Sequence, residues 1–235
     1  MAIALVGATN FFSSDTNGFT STGIDTSGAN FIVISLSCSA GTGSISDSKG
    51  NTWTQLTEYT GFFGTRSVKL FYAYNATVGT GHTFTVSGSA GLSPAISLAY
   101  YSGVESASDP LDTGKVSGAS NNSSTTIAPG SLTPTTDGSL IVTGLFKNGS
   151  FSSAPTIDAS FTREAYVSDT NFGHFFSAIA DLIQTTAAAA NPTWTISSDI
   201  VIATMAVFKA ASGGGGGSGL ALPQGYVRMN TLLRM

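Results

Sequence analysis

The sequence predicts an all-β fold: an antiparallel β-sandwich, jelly-roll-like, with an internal two-fold duplication and an extended C-terminal arm. Three observations predict it. Short segments with period-two alternation, rich in β-branched and aromatic residues, recur along the 235-residue chain. Turn residues separate them. Similar segments return in the same order in the second half.

The expected strands, in order, are 31–38, 53–58, 67–74, 82–86 and 95–101, then 140–146, 161–167, 174–183, 193–196 and 200–208. Asn17-Gly18, Lys49-Gly50-Asn51, Gly79-Thr80-Gly81, Asp137-Gly138 and Asn148-Gly149 mark turns between them. Strands this short and closely spaced argue for a sandwich over alternating β and α units. Residues 175–190 contain alanines that suit a helix, while Ile179, Leu182 and Ile183 suit either state. A strand and then a loop through 187–190 is expected there. Residues 117–126, Ser-Gly-Ala-Ser-Asn-Asn-Ser-Ser-Thr-Thr, read as a long surface loop.

The duplication rests on local likenesses. Phe31-Ile-Val-Ile-Ser-Leu36 resembles Leu140-Ile-Val-Thr-Gly-Leu145, and His82-Thr-Phe-Thr-Val86 matches Pro192-Thr-Trp-Thr-Ile196. A near-continuous apolar strand, beginning at Ala95 or Val201, closes each half. Two copies allow one pseudo-symmetric sandwich or two in tandem. One body over 1–211 is expected, with pseudo-repeats of about 1–105 and 106–211 sharing a core, because the polar connection 102–137 is no clear linker.

Charged residues make up 9% of the chain, against a usual share of about 25%. The 15 Phe, 7 Tyr and 2 Trp are enough to offset the entropy of ordering, so the chain folds. Nine Lys and Arg spread over the whole length, with a net charge of −4, make no basic stripe, and nucleic acid is not an expected partner. Cys38 is the one cysteine, so no intrachain disulfide forms and a small buried hydrophobe is the expected role. The N-terminus has no basic region of a signal peptide, and no run approaches the ~20 apolar residues of a membrane span.

A composition break comes at residues 212–219, Ser followed by five Gly, Ser and Gly. Eight such residues form a flexible tether reaching roughly 15 Å. Beyond it, residues 220–235 hold Leu220, Leu222, Tyr226, Val227, Met229, Leu232, Leu233 and Met235, with Arg228 among them and no acidic residue. Sixteen residues make no core of their own, so a docking arm is the expected reading, in a groove of the same body or of a neighbour. The other reading is an engineered linker with a loose end.

Signals for chemistry are sparse. Asp47, Glu58, Glu105, Asp109, Asp112, Asp158, Glu164, Asp169 and Asp181 fall mostly beside turn residues, where Asp is favoured for backbone hydrogen bonds. An acid–base pair would need two of them to meet across strands. His82 and His174 are the only histidines, no Gly-x-Ser-x-Gly elbow occurs, and the His and Cys spacing fits no zinc site. Asp47-Ser-Lys-Gly-Asn51 echoes a calcium loop only faintly and reads as a β-turn. No catalytic residue, metal or cofactor is expected. Tyr59, Phe62, Phe63, Tyr72, Tyr74, Tyr100 and Tyr101 cluster in the first half. A sugar-binding platform would be built from these aromatics, although alternate aromatics on strands are usually core. Gly61-Phe-Phe-Gly64 reads as a hairpin loop, where Phe62 and Phe63 either contact a glycan or partner or pack locally.

Gly50-Asn-Thr-Trp-Thr-Gln-Leu56, Leu70-Phe-Tyr-Ala-Tyr-Asn-Ala-Thr77, Gly81-His-Thr-Phe-Thr-Val86 and Ile96-Ser-Leu-Ala-Tyr-Tyr-Ser-Gly-Val104 resemble β-sandwich modules of tailed-bacteriophage structural proteins, including decoration, head-spike and tail-fibre components. The resemblance covers roughly residues 30–105, with a fainter second copy, and carries over no site residues. It implies a structural protein made in the host cytoplasm and located on the virion surface, a capsid decoration or spike anchored by its arm. Its expected partners are other capsid or tail subunits and further copies of itself. The alternative is a tail-fibre or receptor module that binds a host surface glycan through exposed aromatics.

Overall fold

A computed structural model of the chain describes residues 1–14, 17–61, 63–88, 93–148, 153–167 and 175–212. Every regular element among them is a strand. The first half contributes β1 (Ala4–Phe12), β2 (Gly18–Thr20), β3 (Phe31–Ser39), β4 (Ser44–Asp47), β5 (Thr54–Gln55), β6 (Tyr59–Gly61), β7 (Arg66–Tyr74), β8 (Phe84–Ser87) and β9 (Ala95–Ser102). They form a main sheet in the order β1-β9-β3-β7-β5, with β6 also on β7, and a small sheet β2-β8-β4. The second half contributes β10 (Leu111–Ile127), β11 (Leu140–Asn148), β12 (Thr156–Ile157), β13 (Thr162–Tyr166), β14 (Phe175–Ile183) and β15 (Trp194–Phe208). Its sheet runs β10-β15-β11-β14-β13, with β12 on the start of β15.

The two main sheets have corresponding strand orders and registers. Phe31 pairs with Tyr74 on one side and Tyr101 on the other, as Leu140 pairs with Ile183 and Phe208. Tyr74 therefore corresponds to Ile183, and Tyr101 to Phe208.

The sheets pack face to face along a seam. Its apolar part joins Phe31, Val33, Leu70, Tyr72 and Tyr101 to Leu140, Val142, Ile179, Ala206 and Phe208, so the halves share one core. Phe208 centres an aromatic group, 4.7 Å from the Phe31 ring and 5.1 Å from the Tyr72 ring. Further along, serines replace the large side chains. Ser37 Oγ donates to Phe176 O (2.9 Å), Ser97 Oγ to Ser177 O (2.9 Å), and Ser177 Oγ to Ser35 O (2.8 Å). A serine hydroxyl that reaches the opposing backbone brings the sheets far closer than the ~10 Å usual between packed sheets.

The outer face of the first sheet is also covered. Ile32, Ile34, Leu36 and Cys38 pack against Phe84 and Val86 of the small sheet. Every residue of β3 is buried, and this two-sided cover explains its nearly continuous apolar run. Cys38 is buried as expected, and burial raises its thiol pKa against the pull of Lys69.

Four expectations change in detail. Residues 117–126 are strand, not loop: they lie in β10, paired with β15 from Leu111↔Phe208 to Ile127↔Trp194. The expected strands 193–196 and 200–208 are one, β15. Only Thr54 and Gln55 of 53–58 are strand. Strands β1, β2, β4, β6 and β12 stand where no strand was expected.

Candidate functional site

Chemistry-bearing side chains gather in three places among the described residues. The first is the turn after β4, which is built on Asp47. Its Oδ1 accepts the backbone N–H groups of Lys49 (2.8 Å) and Asn51 (3.3 Å), and its Oδ2 accepts Trp53 Nε1 (2.7 Å). Gly50 supplies the left-handed backbone of the turn, at φ 72°. The carboxylate is thus engaged by its own turn, in agreement with the β-turn expected from the sequence.

Behind this turn lies His82, fully buried, with Nε2 3.4 Å from Asp47 Oδ1 and Nδ1 2.9 Å from the Thr26 hydroxyl. Its ring stacks on Phe84 at 4.4 Å between centroids. Carboxylate, imidazole and hydroxyl stand in the order of a nucleophilic triad. Thr26 is fully buried, however, and its oxygen is held by Gly79, donating to the carbonyl (3.3 Å) and accepting the N–H (3.1 Å). No substrate reaches that oxygen, and the cluster serves as a structural pin. Burial holds His82 below the ordinary imidazole pKa, against the attraction of Asp47. Burial pushes the Asp47 carboxyl up, but donors from Asn51, Lys49 and Trp53 outweigh it and leave the pKa lowered.

The pinned turn forms one wall of a cleft of about 430 Å³. The end of β7 and the loop after it form the other, with Tyr74, Asn75 and Thr77, and Thr52 and Thr54 line the space between. Asn51 ties the walls together: its Oδ1 accepts Thr77 N (2.7 Å) and its Nδ2 donates to Thr77 O (3.0 Å).

The second cluster sits at the seam. A bulge between Arg163 and Ala165 takes Glu164 out of the β13–β14 register and brings it to Asp181, whose neighbour from β9 is Tyr101. Burial, the Asp181 charge and a hydrogen bond between the carboxyls push Glu164 up to about 7. Burial also raises Asp181, opposed by the Tyr101 hydroxyl and by Glu164. The Tyr101 hydroxyl is buried and faces Asp181 from outside good hydrogen-bond geometry. The Asp181 charge disfavours the ionised form of Glu164, and the two titrate as a pair. This is a pair meeting across strands, which spacing along the sequence did not reveal.

In the third cluster Lys69, 3% exposed, donates to Thr42 O and lies 3.4 Å from Glu58 Oε1. Glu58 also accepts Gly41 N, and Cys38 Sγ donates to the same Thr42 O at 3.2 Å. The group borders a cleft of about 260 Å³ shared with Gln55 and Ser87.

Of the aromatics singled out from the sequence, Tyr59 is half-buried and packs on Gly118, where an added Cβ would stand 2.4 Å from the ring. Phe63 is 90% exposed, in a turn with φ 55°. Phe62 and His174 lie outside the described residues. So does the arm, with Leu220, Leu222, Tyr226, Val227, Arg228, Met229, Leu232, Leu233 and Met235. Sequence reasoning missed the Asp47–His82 contact, and it placed Tyr74 among the candidate sugar-binding aromatics without the cleft that Tyr74 shares with Asn51 and Asn75. For the first, the sequence showed the Asp-x-x-Gly turn ahead of Trp53 but no sign of His82 beside it. No family model, curated protein or solved structure matches the chain.

Proposed function

We propose that this chain is a structural subunit of a virion, displayed on the particle surface as a capsid decoration or spike, with no catalytic role. The outer edge of β10 carries the reading. Residues 116–121 keep a regular register with β15, and no strand pairs with their other side among the described residues. This run holds no charge and no proline. Monomeric proteins usually blunt such edges with charges, proline or bulges, because open N–H and C=O groups template pairing. Beyond Asn121 the edge is blunted: the register shifts, Asn121 Oδ1 accepts Ser123 N, and Ser124 Oγ accepts Thr126 N. The regular run before it suits pairing with a neighbouring subunit, a second copy or another virion protein.

The exit of the chain supports the same reading. Ser212 donates to Glu105 through both N and Oγ, each at 3.2 Å. The N–H groups of Ala107, Ser212 and Ser106 draw the Glu105 carboxyl down to about 2, so this clamp stays charged at any ordinary pH. Ser212 is thus held at a fixed corner, which suits an arm over 220–235 that reaches a neighbour.

Light scattering on the full chain, a chain ending at Ser212 and a Ser120→Lys variant tests the assembly contacts. Association of the full chain, weakened by either change, is expected. Antibody against the body should label purified particles, and less so when 213–235 are deleted. A monomer at every concentration that is absent from particles would end the reading.

A further inference from the structure

We infer that the cleft beside Tyr74 is a binding site for a neutral saccharide. Its volume, about 430 Å³, lies within the roughly 300–1,000 Å³ of ordinary ligand sites. Among the described residues the lining is Gly50, one aromatic, amides and hydroxyls, with no charged side chain. That chemistry matches a sugar, whose C–H face packs on an aromatic ring and whose hydroxyls exchange hydrogen bonds with amides and threonines. Phosphates and other anions find no cation here: Lys49, the nearest on the turn, donates to Thr80 O. A lipid or apolar ligand would leave the polar groups unpaired.

The site is preorganised on one side and open on the other. Asp47 and His82 pin the turn, and Asn51 holds the two walls at a fixed separation. The Tyr74 hydroxyl and the Asn75 amide make no hydrogen bond to other described residues, and Tyr74 is 37% exposed.

Comparison of the two sheets shows that the fold does not demand these residues. The position corresponding to Tyr74 is Ile183, equally exposed at 37%. After Ile183 the very next residue, Gln184, bonds back to Ser139 O, whereas after Tyr74 the chain inserts Asn75 before Ala76 N bonds to Asn30 O. Asn75 takes a left-handed backbone, φ 48°, uncommon outside glycine and tolerated by asparagine. An aromatic and an inserted amide thus stand together at one rim of the cleft. The inference does not depend on the virion reading. On a particle, many weak sites of this kind would act together.

The test is a titration of the ¹⁵N-labelled full chain with neutral tetrasaccharides of glucose, mannose, galactose and N-acetylglucosamine, followed by amide shifts. At least one should move the amides of Thr52, Thr54 and Asn75–Thr77 with a dissociation constant near millimolar. Tyr74→Ile, which installs the residue of the corresponding strand, should weaken binding about tenfold. Tyr74→Phe should keep most of it, since the ring face carries the sugar contact. Asn75→Gly suits the same backbone, so it should weaken binding while the melting temperature holds or rises. No shift in the cleft with any of the four sugars at tens of millimolar would overturn the proposal. So would tighter binding of an anionic sugar, such as a sialylated one, or binding unaffected by Tyr74→Ile.

Discussion

Tyr72 and Asp181 occupy corresponding positions in the two main sheets, since Val33 pairs with Tyr72 as Val142 pairs with Asp181. Both reach the seam with opposite chemistry. Tyr72 packs its ring on Phe208 and donates its hydroxyl to Asp109 Oδ1 at 2.8 Å. Asp181 instead brings a carboxyl beside Tyr101 and finds Glu164. The seam therefore has one aromatic flank and one titrating flank.

The titrating flank makes stability fall as pH rises. Glu164 titrates at about 7 in the fold, against about 4.3 when unfolded. Between those values the native state holds a proton that the unfolded chain has released, so its stabilising effect is complete below the lower value and lost through the upper. Thermal melts from about pH 5 to pH 8 should show the wild type losing stability relative to Glu164→Gln as pH rises. Parallel profiles for the two proteins would show that the Glu164 pKa is not raised in the fold.

His82 acts in the opposite sense. Its folded pKa lies below the ordinary imidazole value, so below about pH 6.5 the unfolded chain binds a proton that the native state does not. Stability is complete above that pH and falls as the solution is acidified through the folded pKa. The lowered Asp47 carboxyl adds to the loss at still lower pH. Between about pH 4.3 and about pH 6.5 the two groups oppose one another, so His82→Gln should shrink the acid limb and leave the decline above about pH 6.5 unchanged. An acid limb unchanged in that variant would show that carboxylates account for it.

How much of this was legible in the sequence follows from what each residue touches. The run 31–38 announced itself because both faces of β3 are covered and five of its eight residues are large and apolar, with only Ser35, Ser37 and Cys38 between and after them. Residues 117–126 did not, because Ser, Asn and Gly carry turn chemistry and only the partner β15 makes them a strand. The Asp47 turn was readable from Asp, Gly and Asn. Its contact with His82 was not, since it depends on how β4 lies against β8. The Glu164–Asp181 pair needed a bulge, which period-two patterning does not encode.

The serine end of the seam should be intolerant of volume. A Cβ on Gly144 would stand 2.5 Å from Ser35 Oγ, 3.0 Å from its Cβ and 3.2 Å from Leu70 Cδ2. Gly144→Ala should cost about 1–3 kcal/mol by urea denaturation, as overpacking does. Ser35→Gly in the same chain should recover part of that loss, because the two residues compete for one space. Strictly additive costs would place the strain elsewhere.

The Glu58–Lys69 pair should respond unequally to loss of either partner. Lys69 is nearly sealed, at 3% exposure, while Glu58 is 21% exposed. Lys69→Met leaves Glu58 accepting Gly41 N and in contact with water, and leaves Thr42 O with the Cys38 thiol. Glu58→Gln leaves an ammonium group with the Thr42 carbonyl and no opposing charge, beside a new amide that can turn its own donors towards it. Breaking a buried pair from the exposed side strands the buried charge, and that is the costly direction. Glu58→Gln should destabilise by about 1–3 kcal/mol in urea, and Lys69→Met by less. Equal losses would mean that Lys69 is held by Thr42 alone and that the carboxylate contributes nothing to it.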